Sequence, residues 1–258
     1  MSQLYFQCAA RSAVGLVRNG NEDSALVGSQ LIAVADGMGG HAGGEIASSV
    51  AINTLSEIAP TFTNKDVDSE SASDLFLNSL HTIDGQIHAV TQDEPQLAGM
   101  GTTLTALFIN TTEISLLHVG DSRAYRLRGN ELVQLSADHT VLQELLNKGI
   151  ISEADAQVHP QRSMLTQALM GEGTLEPSLQ VFEGKIKDRY LLCSDGLTGV
   201  LSDKEIKSLI KGKDAVAAVD ALIDATYING APDNVTVILA DLVDSSDTDV
   251  EKLGAAKA

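Results

Sequence analysis

The chain has 258 residues, which suits one domain that buries roughly 70–75% of the surface of its unfolded form. Its 17 Lys and Arg residues face 35 Asp and Glu residues, and the net charge of −18 argues against binding a nucleic-acid backbone or an anionic membrane. The two cysteines, Cys8 and Cys193, lack CxxC spacing, and no stretch of about 18 apolar residues occurs. We therefore expect a cytoplasmic, monomeric protein with no disulfide, zinc site or membrane segment.

Two amphipathic helices are predicted in the first third of the chain. Residues 45–59 carry apolar side chains at helical spacing and stop at Pro60. After a polar stretch over residues 61–73, predicted to be a surface loop, the apolar positions from Phe76 to Val90 again repeat at helical spacing. Strands are predicted next, over residues 102–110, 114–119 and 125–135, and the last of them folds back at Gly129-Asn130, a hairpin signal.

The rest of the chain mixes helices and strands. A helix is predicted over residues 141–148, Ser152 opens another, and residues 138–173 form an insert. The remaining elements are a strand over 190–194, helices over 203–211 and 214–227, and a strand over 235–240. The pattern favours an antiparallel α+β sandwich in one domain over residues 1–243, followed by an acidic tail, residues 244–258, that we expect to be disordered.

Aspartates stand at the ends of four apolar runs that read as buried strands. Three runs stop at an aspartate beside a glycine and one begins just after an aspartate; the four are Asp36, Asp121, Asp195 and Asp233. One Asp-Gly pair is ordinary turn chemistry, but four at strand ends can converge into a cluster. Packed carboxylates repel one another unless cations compensate, and an all-oxygen set suits Mg²⁺ or Mn²⁺ better than Zn²⁺. The pattern therefore favours a multi-metal hydrolytic site.

A second group, from Arg18 to Asp23, places an arginine before two adjacent acids. The planar guanidinium can clamp two oxygens of a phosphate, while Glu22 and Asp23 can hold metal-bound waters. Alone, this group reads as a solvated charged turn. Beside the four aspartates, it indicates a phosphate-ester hydrolase.

Together these segments resemble the metal-dependent protein serine/threonine phosphatases of the type 2C, or PPM, family in its bacterial form. The matching segments span about residues 9–241 and read GLVRNGNED (15–23), ADGMGGH (35–41), GTT (101–103), VGDSRAY (119–125), DH (138–139), SDGL (194–197) and DNV (233–235). The resemblance implies a four-layer α-β-β-α sandwich with two central antiparallel β-sheets flanked by helices. It also makes the insert over residues 138–173 a mobile flap that covers the site and influences substrate choice.

The resemblance further implies a role for each acid. Asp36 would bridge two metal ions, the carbonyl of Gly37 would bind one of them, and Asp195 and Asp233 would complete the centre. Glu22 and Asp23 would hold water molecules bound to the metals. Asp121, together with Asp195, would bind a third metal ion, and Arg18 would bind the substrate phosphate.

The implied reaction is hydrolysis of phosphoserine and phosphothreonine in proteins, with Mn²⁺ or Mg²⁺ as cofactor. A hydroxide that bridges two cations attacks phosphorus, and the alkoxide leaves opposite it without a phosphoenzyme. Phosphorylated proteins would be the substrates, and a Ser/Thr protein kinase the opposing partner. Nucleic acid is not expected as a partner.

One position departs from the family. Eukaryotic relatives carry a histidine two residues after the bridging aspartate, proposed as the acid for the leaving group, whereas this chain has Met38, which cannot donate a proton. His41 and a metal-bound water are the two candidate replacements. We favour a structural role for His41, and likewise structural or flap roles for His118, His139 and His159, because geometry must come before a general-acid assignment.

Two other functions fit parts of the sequence. Residues 37–42 nominally satisfy the G-x-G-x-x-G/A fingerprint of dinucleotide-binding proteins, with Glu57 twenty residues after Gly37. However, Asp36 would place a negative charge beside the pyrophosphate, and Glu57 falls inside a predicted helix. The second alternative is a non-catalytic module that binds metal or phosphoprotein. The presence of Arg18 and of every expected acid favours catalysis over it.

Overall fold

The fold places two stacked β-sheets at the centre and helices on both outer faces, in a computed structural model that describes residues 3–40, 42–64, 66–152, 164–175, 179–246 and 248–257. The strands are β1 (Tyr5–Ala13), β2 (Asp23–Val27), β3 (Leu31–Met38), β4 (Gly101–Thr102), β5 (Leu104–Asn110), β6 (Glu113–Val119), β7 (Arg123–Arg128), β8 (Glu131–Gln134), β9 (Leu179–Glu183), β10 (Arg189–Cys193), β11 (Val235–Val243) and β12 (Glu251–Gly254). The helices are α1 (Gly43–Ile58), α2 (Pro60–Thr63), α3 (Ser69–Asp93), α4 (Val141–Asn147), α5 (Asp195–Thr198), α6 (Asp203–Ile210) and α7 (Ala215–Ile228), with 3₁₀ turns at Pro95–Leu97 and Ala255–Lys257.

Both sheets are antiparallel. The first has the strand order β1-β11-β10-β7-β8 and the second β12-β2-β3-β5-β6-β9, with β4 paired to β3. Every pairing among these strands is antiparallel. The dinucleotide-binding alternative is therefore wrong, because its fingerprint requires a parallel βαβ unit and an acid at the end of a second strand. Glu57 lies inside α1.

Three clusters of buried apolar side chains hold the four layers together. The facing sides of the two sheets bury Ile32, Leu107 and Ile238 in a central cluster. Helices α1 and α3 cover the second sheet, and α3 buries Phe76, Leu80, Ile83 and Ile87 at the predicted helical spacing. Helices α6 and α7 cover the outer face of the first sheet. The predicted four-layer α-β-β-α architecture is confirmed.

The helix that follows the first Asp-Gly pair begins and ends close to the predicted residues, but the polar stretch after it differs from the prediction. Residues 61–73 were expected to be a loop; instead Pro60–Thr63 form α2 and α3 already begins at Ser69. The Asp68 side chain accepts a hydrogen bond from the Ser71 amide at 2.9 Å, so the acid that suggested a loop is the N-cap of the longest helix among the described residues.

The C-terminal segment also differs from the prediction. Residues 244–258 were expected to be disordered, yet Glu251–Gly254 form β12, which pairs with β2, and Ala255 and Ala256 are buried. The expectation of disorder is wrong for this segment because strand pairing satisfies backbone groups and requires no large apolar side chain. The predicted domain boundary at residue 243 stays a prediction.

The insert over residues 138–173 is described in part. Helix α4 lies where a helix was predicted, and a bridge joins Thr140 to Leu165. Residues 153–163 lie outside the described residues. They include His159 and most of the helix that was predicted to begin at Ser152. Within the described ranges, no helix combines the length and the apolar composition that crossing a bilayer requires.

Candidate metal centre

The first two acids face each other across neighbouring strands. Asp23, the first residue of β2, is the direct cross-strand partner of Asp36 in β3. Residues opposite each other in an antiparallel pair project to the same face, so the pairing places both carboxylates side by side. Asp23 is fully buried, and burial and the Asp23 charge are the two largest causes that hold the pKa of Asp36 well above its usual range. The sequence alone did not predict this pairing, because β2 was not predicted as a strand.

Two threonines fix the backbone of Asp36. The Thr103 hydroxyl accepts a hydrogen bond from the Asp36 amide at 3.0 Å, and the Thr103 amide donates to the Asp36 carbonyl at 2.9 Å. The Thr102 hydroxyl donates to the same carbonyl at 2.9 Å. Both threonines are buried, and Thr103 also bonds to the Ser122 hydroxyl. These contacts explain why the segment Gly101-Thr102-Thr103 accompanies the aspartates.

The other sheet supplies Asp195 and Asp233. Asp195 opens α5 just after β10, and Asp233 precedes β11, the strand that pairs with β10. The Ser194 hydroxyl donates to Asp23 Oδ2 at 2.7 Å and accepts from the Thr236 amide at 3.0 Å. Ser194 thus joins the acid on β2 to the place where β10 ends and β11 begins. The charges of Asp23, Asp195 and Asp233 all raise the pKa of Asp36, so the two sheets bring these four acids near one another.

Both Asp-Gly pairs occur where two chain segments touch through their backbones. A Cβ atom on Gly37 would lie 2.0 Å from the Gly44 carbonyl oxygen and 2.6 Å from that of Glu22. A Cβ atom on Gly196 would lie 1.9 Å from the Asn234 carbonyl oxygen. Such distances exclude any side chain. Glycine therefore follows each aspartate because the acid-bearing segments contact each other directly.

Mutual repulsion and burial shape the electrostatics of the cluster. Burial raises the pKa of Asp23 to about 7, and Asp195 and Asp233 add to the rise. Burial likewise raises the pKa of Asp195, and the Asp233 charge adds to the rise. One Asp23 oxygen, Oδ1, is buried with no hydrogen-bond partner. The site concentrates negative charge that the neighbouring protein groups compensate only in part.

Glu22 lies at the junction of β2, α1 and β11. Its amide donates to Asn234 Oδ1 at 2.8 Å, and its carbonyl accepts from the Gly37 amide at 3.1 Å. Its carboxylate lies against Gly44, where a Cβ atom would come within 2.8 Å of Oε2. Burial raises the pKa of Glu22, and Arg18 opposes that rise.

Arg18 reaches the cluster from the loop after β1. Its Nη2 donates to Asp233 Oδ2 at 2.7 Å, and half of its side chain stays exposed. The Asp233 hydrogen bond is the main cause that raises the pKa of the guanidinium. Arg18 is therefore a cation at the mouth of the cluster, with N–H groups that face solvent and can bind a second anion.

Asp121 lies beside the other acids at the end of β6. Burial raises the pKa of Asp121 to about 7, and the Asp195 charge adds to the rise. The preceding amide, that of Gly120, donates to His139 Nδ1 at 3.2 Å. The His139 ring lies 4.9 Å from that of His118, and burial lowers the pKa of His118 to about 3. Both histidines hold loops next to Asp121, in agreement with their predicted structural roles.

A cleft of about 640 Å³ opens beside the acids. Asp121, Asp195 and Asp233 line one side, and α4 of the insert contributes Leu142 and Leu146 to the other. Arg123 lies in its wall but is held by Asp138, with contacts of 2.9 and 2.6 Å to the two carboxylate oxygens. The cleft thus lies between the acids and α4, within the insert that is predicted to be a flap.

The donor set fits hard divalent cations. It consists of carboxylate and carbonyl oxygens and includes the partnerless Asp23 Oδ1. Burial, and then the charge of neighbouring acids, raises the pKa of Asp23, Asp36, Asp121 and Asp195, and a bound cation would relieve both effects. Among the described residues, no three His, Cys, Asp or Glu side chains are already gathered closely enough to hold an ion. Asp233 is turned to Arg18, so the acids have to close around a cation to bind it.

Sequence reasoning placed the acids but missed the groups that hold them. Ser194, Thr103 and Asn234 each bond directly to an acid or to its backbone. Each lies within one of the segments that resemble the family: Ser194 and Asn234 adjoin an aspartate, and Thr103 is the second residue after Gly101. That proximity is the only signal of their role in the sequence. Met38 lies against Gly101, where a Cβ atom would come within 2.9 Å of Met38 Cε, and His41 lies outside the described residues.

Comparison with known proteins agrees with this geometry. The family model described as protein phosphatase 2C matches residues 20–236. The serine/threonine protein phosphatase PstP of Mycobacterium tuberculosis is 43% identical over 244 residues, which cover 93% of this chain and 46% of that protein. The serine/threonine phosphatase stp of Listeria welshimeri is 36% identical over 237 residues, which cover 90% of this chain and 94% of that protein. The chain thus spans about half the length of PstP and nearly all of stp.

A solved structure extends the likeness to the fold. The crystal structure of the PstP catalytic domain in complex with two manganese ions superposes with a TM-score of 0.85 at 39% identity, covering 93% of this chain and all of that one. Fold, acid cluster and similarity together point to one family. The chain belongs to the protein phosphatase 2C family.

Proposed function

We propose that the chain hydrolyses phosphoserine and phosphothreonine esters in proteins and requires Mn²⁺ or Mg²⁺. The observation that carries the proposal is that Asp195, Asp121 and Asp233 lie near enough to Asp36 for their charges to raise its pKa, with Arg18 at 2.7 Å from Asp233. The activity named for PstP and stp, and the two manganese ions of the PstP structure, support it.

The protein's own residues have separable tasks. Asp36, Asp195, Asp233 and the Gly37 carbonyl would hold two cations, Glu22 and Asp23 would bind their waters, and Asp121 would serve a third. When bound, the cations supply positive charge that lowers the pKa of water and neutralises phosphate oxygens.

Arg18 binds the phosphate in this scheme. Its exposed guanidinium donates in a planar fork that matches two phosphate oxygens, and the same charge stabilises the transition state of phosphoryl transfer. The cleft beside Asp121 receives the polypeptide on either side of the phosphorylated residue. Three further points stay predictions: that the substrates are cytoplasmic phosphoproteins, that a Ser/Thr protein kinase phosphorylates them, and that the protein acts as a monomer.

The test is hydrolysis of a phosphothreonine peptide by metal-stripped protein, with Mn²⁺ or Mg²⁺ added back. We expect turnover only with added metal and a loss of at least about 100-fold in Asp36→Asn, because one neutral oxygen replaces a charged ligand. The control is Asp241→Asn, at the opposite end of β11 from Asp233, where the carboxylate pairs with Arg189 at 2.6 Å. Equal activity in Asp36→Asn and Asp241→Asn, or turnover in metal-free protein, would refute the proposal.

A further inference from the structure

The C-terminal strand lies beyond the part of the chain that the family model matches. The match ends at residue 236, whereas β12 covers Glu251–Gly254. β12 pairs with β2 in antiparallel register from Glu251 opposite Val27 to Gly254 opposite Ser24. It therefore covers the edge of the strand that begins with Asp23, and no other strand among the described residues pairs with that edge.

The segment after β12 makes close contact with the backbone of the candidate metal centre. Gly254 has φ +66°, and a Cβ atom there would lie 2.0 Å from the Asp23 carbonyl oxygen. Ala255 and Ala256 are buried, next to α1. Small residues in this turn allow the C-terminal segment to touch the chain at Asp23 itself.

A directional chain of hydrogen bonds continues from this turn to Glu22. The Ala256 amide lies 3.1 Å from Ser24 Oγ, which lies 2.9 Å from Ser48 Oγ. The Ser48 hydroxyl donates to the Glu22 carbonyl at 2.6 Å, closer than its second acceptor, the Glu45 carbonyl, at 3.3 Å. The single Ser48 proton goes to the Glu22 carbonyl, so Ser24 is the donor in the contact between the two hydroxyls and the acceptor from the Ala256 amide. Ser24 and Ser48 have no exposed surface, so bulk water does not replace a lost link.

We propose that residues 251–257 position Glu22 and Asp23 for metal binding, and that Ser24 and Ser48 are the positioning residues that connect them. The inference rests on the proposed metal centre and adds to it a segment outside the family match. Groups that orient the residues around a metal typically change its affinity by about 10-fold to 100-fold when they are removed. We expect the low end of that range, because Glu22 and Asp23 hold waters.

The experiment measures the Mn²⁺ dissociation constant of metal-stripped protein by titration calorimetry at 25 °C, where circular dichroism shows each variant folded. Ser24→Ala and Ser48→Ala should each weaken binding about 10-fold. The matched control is Ser79→Ala, because Ser79 is a buried serine of α3 that also donates to a carbonyl, that of Phe76, at 2.6 Å. It should leave the dissociation constant within about twofold of the wild type, since a purely structural loss does not alter the metal site.

A truncated chain that lacks residues 248–258 tests the coupling. Truncation should weaken Mn²⁺ binding about as much as Ser24→Ala does. Adding Ser24→Ala to the truncated chain should change the Mn²⁺ dissociation constant by less than about twofold, because both changes break the same chain of hydrogen bonds to Glu22. An unchanged constant in Ser24→Ala and Ser48→Ala overturns the inference, whether or not the truncated chain folds. A wild-type protein that binds no Mn²⁺ would instead refute the metal centre itself, and the two failures are distinguishable.

Discussion

The buried acids predict that metal-stripped protein loses stability as the pH rises. Asp23 has a folded-state pKa of about 7 against an ordinary value of 3.8. Below the lower value both the folded and the unfolded chain carry the proton, so Asp23 imposes no penalty. Between the two values the unfolded chain loses the proton first, and the free energy of unfolding falls until about pH 7.

The size of the effect follows from the shift. Three pKa units at about 1.4 kcal/mol each correspond to about 4 kcal/mol for Asp23. Asp121 shifts in the same direction and by a similar amount, but both carboxylates feel Asp195, so the two contributions do not simply add. A typical domain has only about 5–15 kcal/mol of stability, so the loss is a large share of the total. For a chain of this length, 4 kcal/mol lowers the melting temperature by about 10 °C.

The assay is urea unfolding of metal-stripped protein at pH 5, 6, 7 and 8 and constant ionic strength, followed by circular dichroism. Asp23→Asn, which stays neutral, should flatten the pH dependence, and saturating Mn²⁺ at pH 8 should restore the stability of the wild type. This comparison separates Asp23 from the general repulsion of a chain with net charge −18. A free energy of unfolding that stays level or rises between pH 5 and 8, or an equal slope in Asp23→Asn, would refute the reasoning.

Two further predictions concern other buried contacts. Asp188→Ala should cost about 2–3 kcal/mol in urea unfolding, because the buried carboxylate accepts two 2.6 Å bonds from Arg128, whose charge stays partly exposed to water. Turnover per folded molecule should be unchanged, because Asp188 lies at the opposite end of β10 from Asp195. A loss below about 1 kcal/mol would contradict the prediction. Gly37→Ala should abolish Mn²⁺-dependent turnover, because its methyl group would lie 2.0 Å from the Gly44 carbonyl oxygen. The control, Gly40→Ala, adds a methyl group where no atom lies within 4 Å and should keep turnover within about twofold of the wild type. Equal activities in the two variants would show that the close contact at Gly37 is not required.

The sequence predicted the parts of the site that leave a local pattern. Asp36, Asp121 and Asp195 each end an apolar run and Asp233 precedes one, and that contrast is visible without a structure. The cross-strand pairing of Asp23 with Asp36 is not, because register depends on partners far along the chain. The roles assigned to these acids as ligands stay predictions.

The C-terminal segment shows a different limit. Its acidic, small residues match the composition of a disordered tail, and composition measures how much apolar surface a segment can bury. β12 is held instead by backbone pairing to β2 and by a glycine that fits against Asp23. Whether residues 251–254 form a strand depends on the unpaired edge of β2, which lies far away in the sequence. The sequence of the tail alone therefore does not predict the pairing.

The two glycines that follow Asp36 and Asp195 bear on how such chains diverge. Because Gly37 and Gly196 let backbone rest on backbone, the separation between acid-bearing segments is set by main-chain dimensions, which are the same for every sequence. Side chains of the three apolar clusters can then drift and repack without moving the acids. A related chain can therefore keep these acids in place within a differently packed interior, provided that those two positions stay glycine.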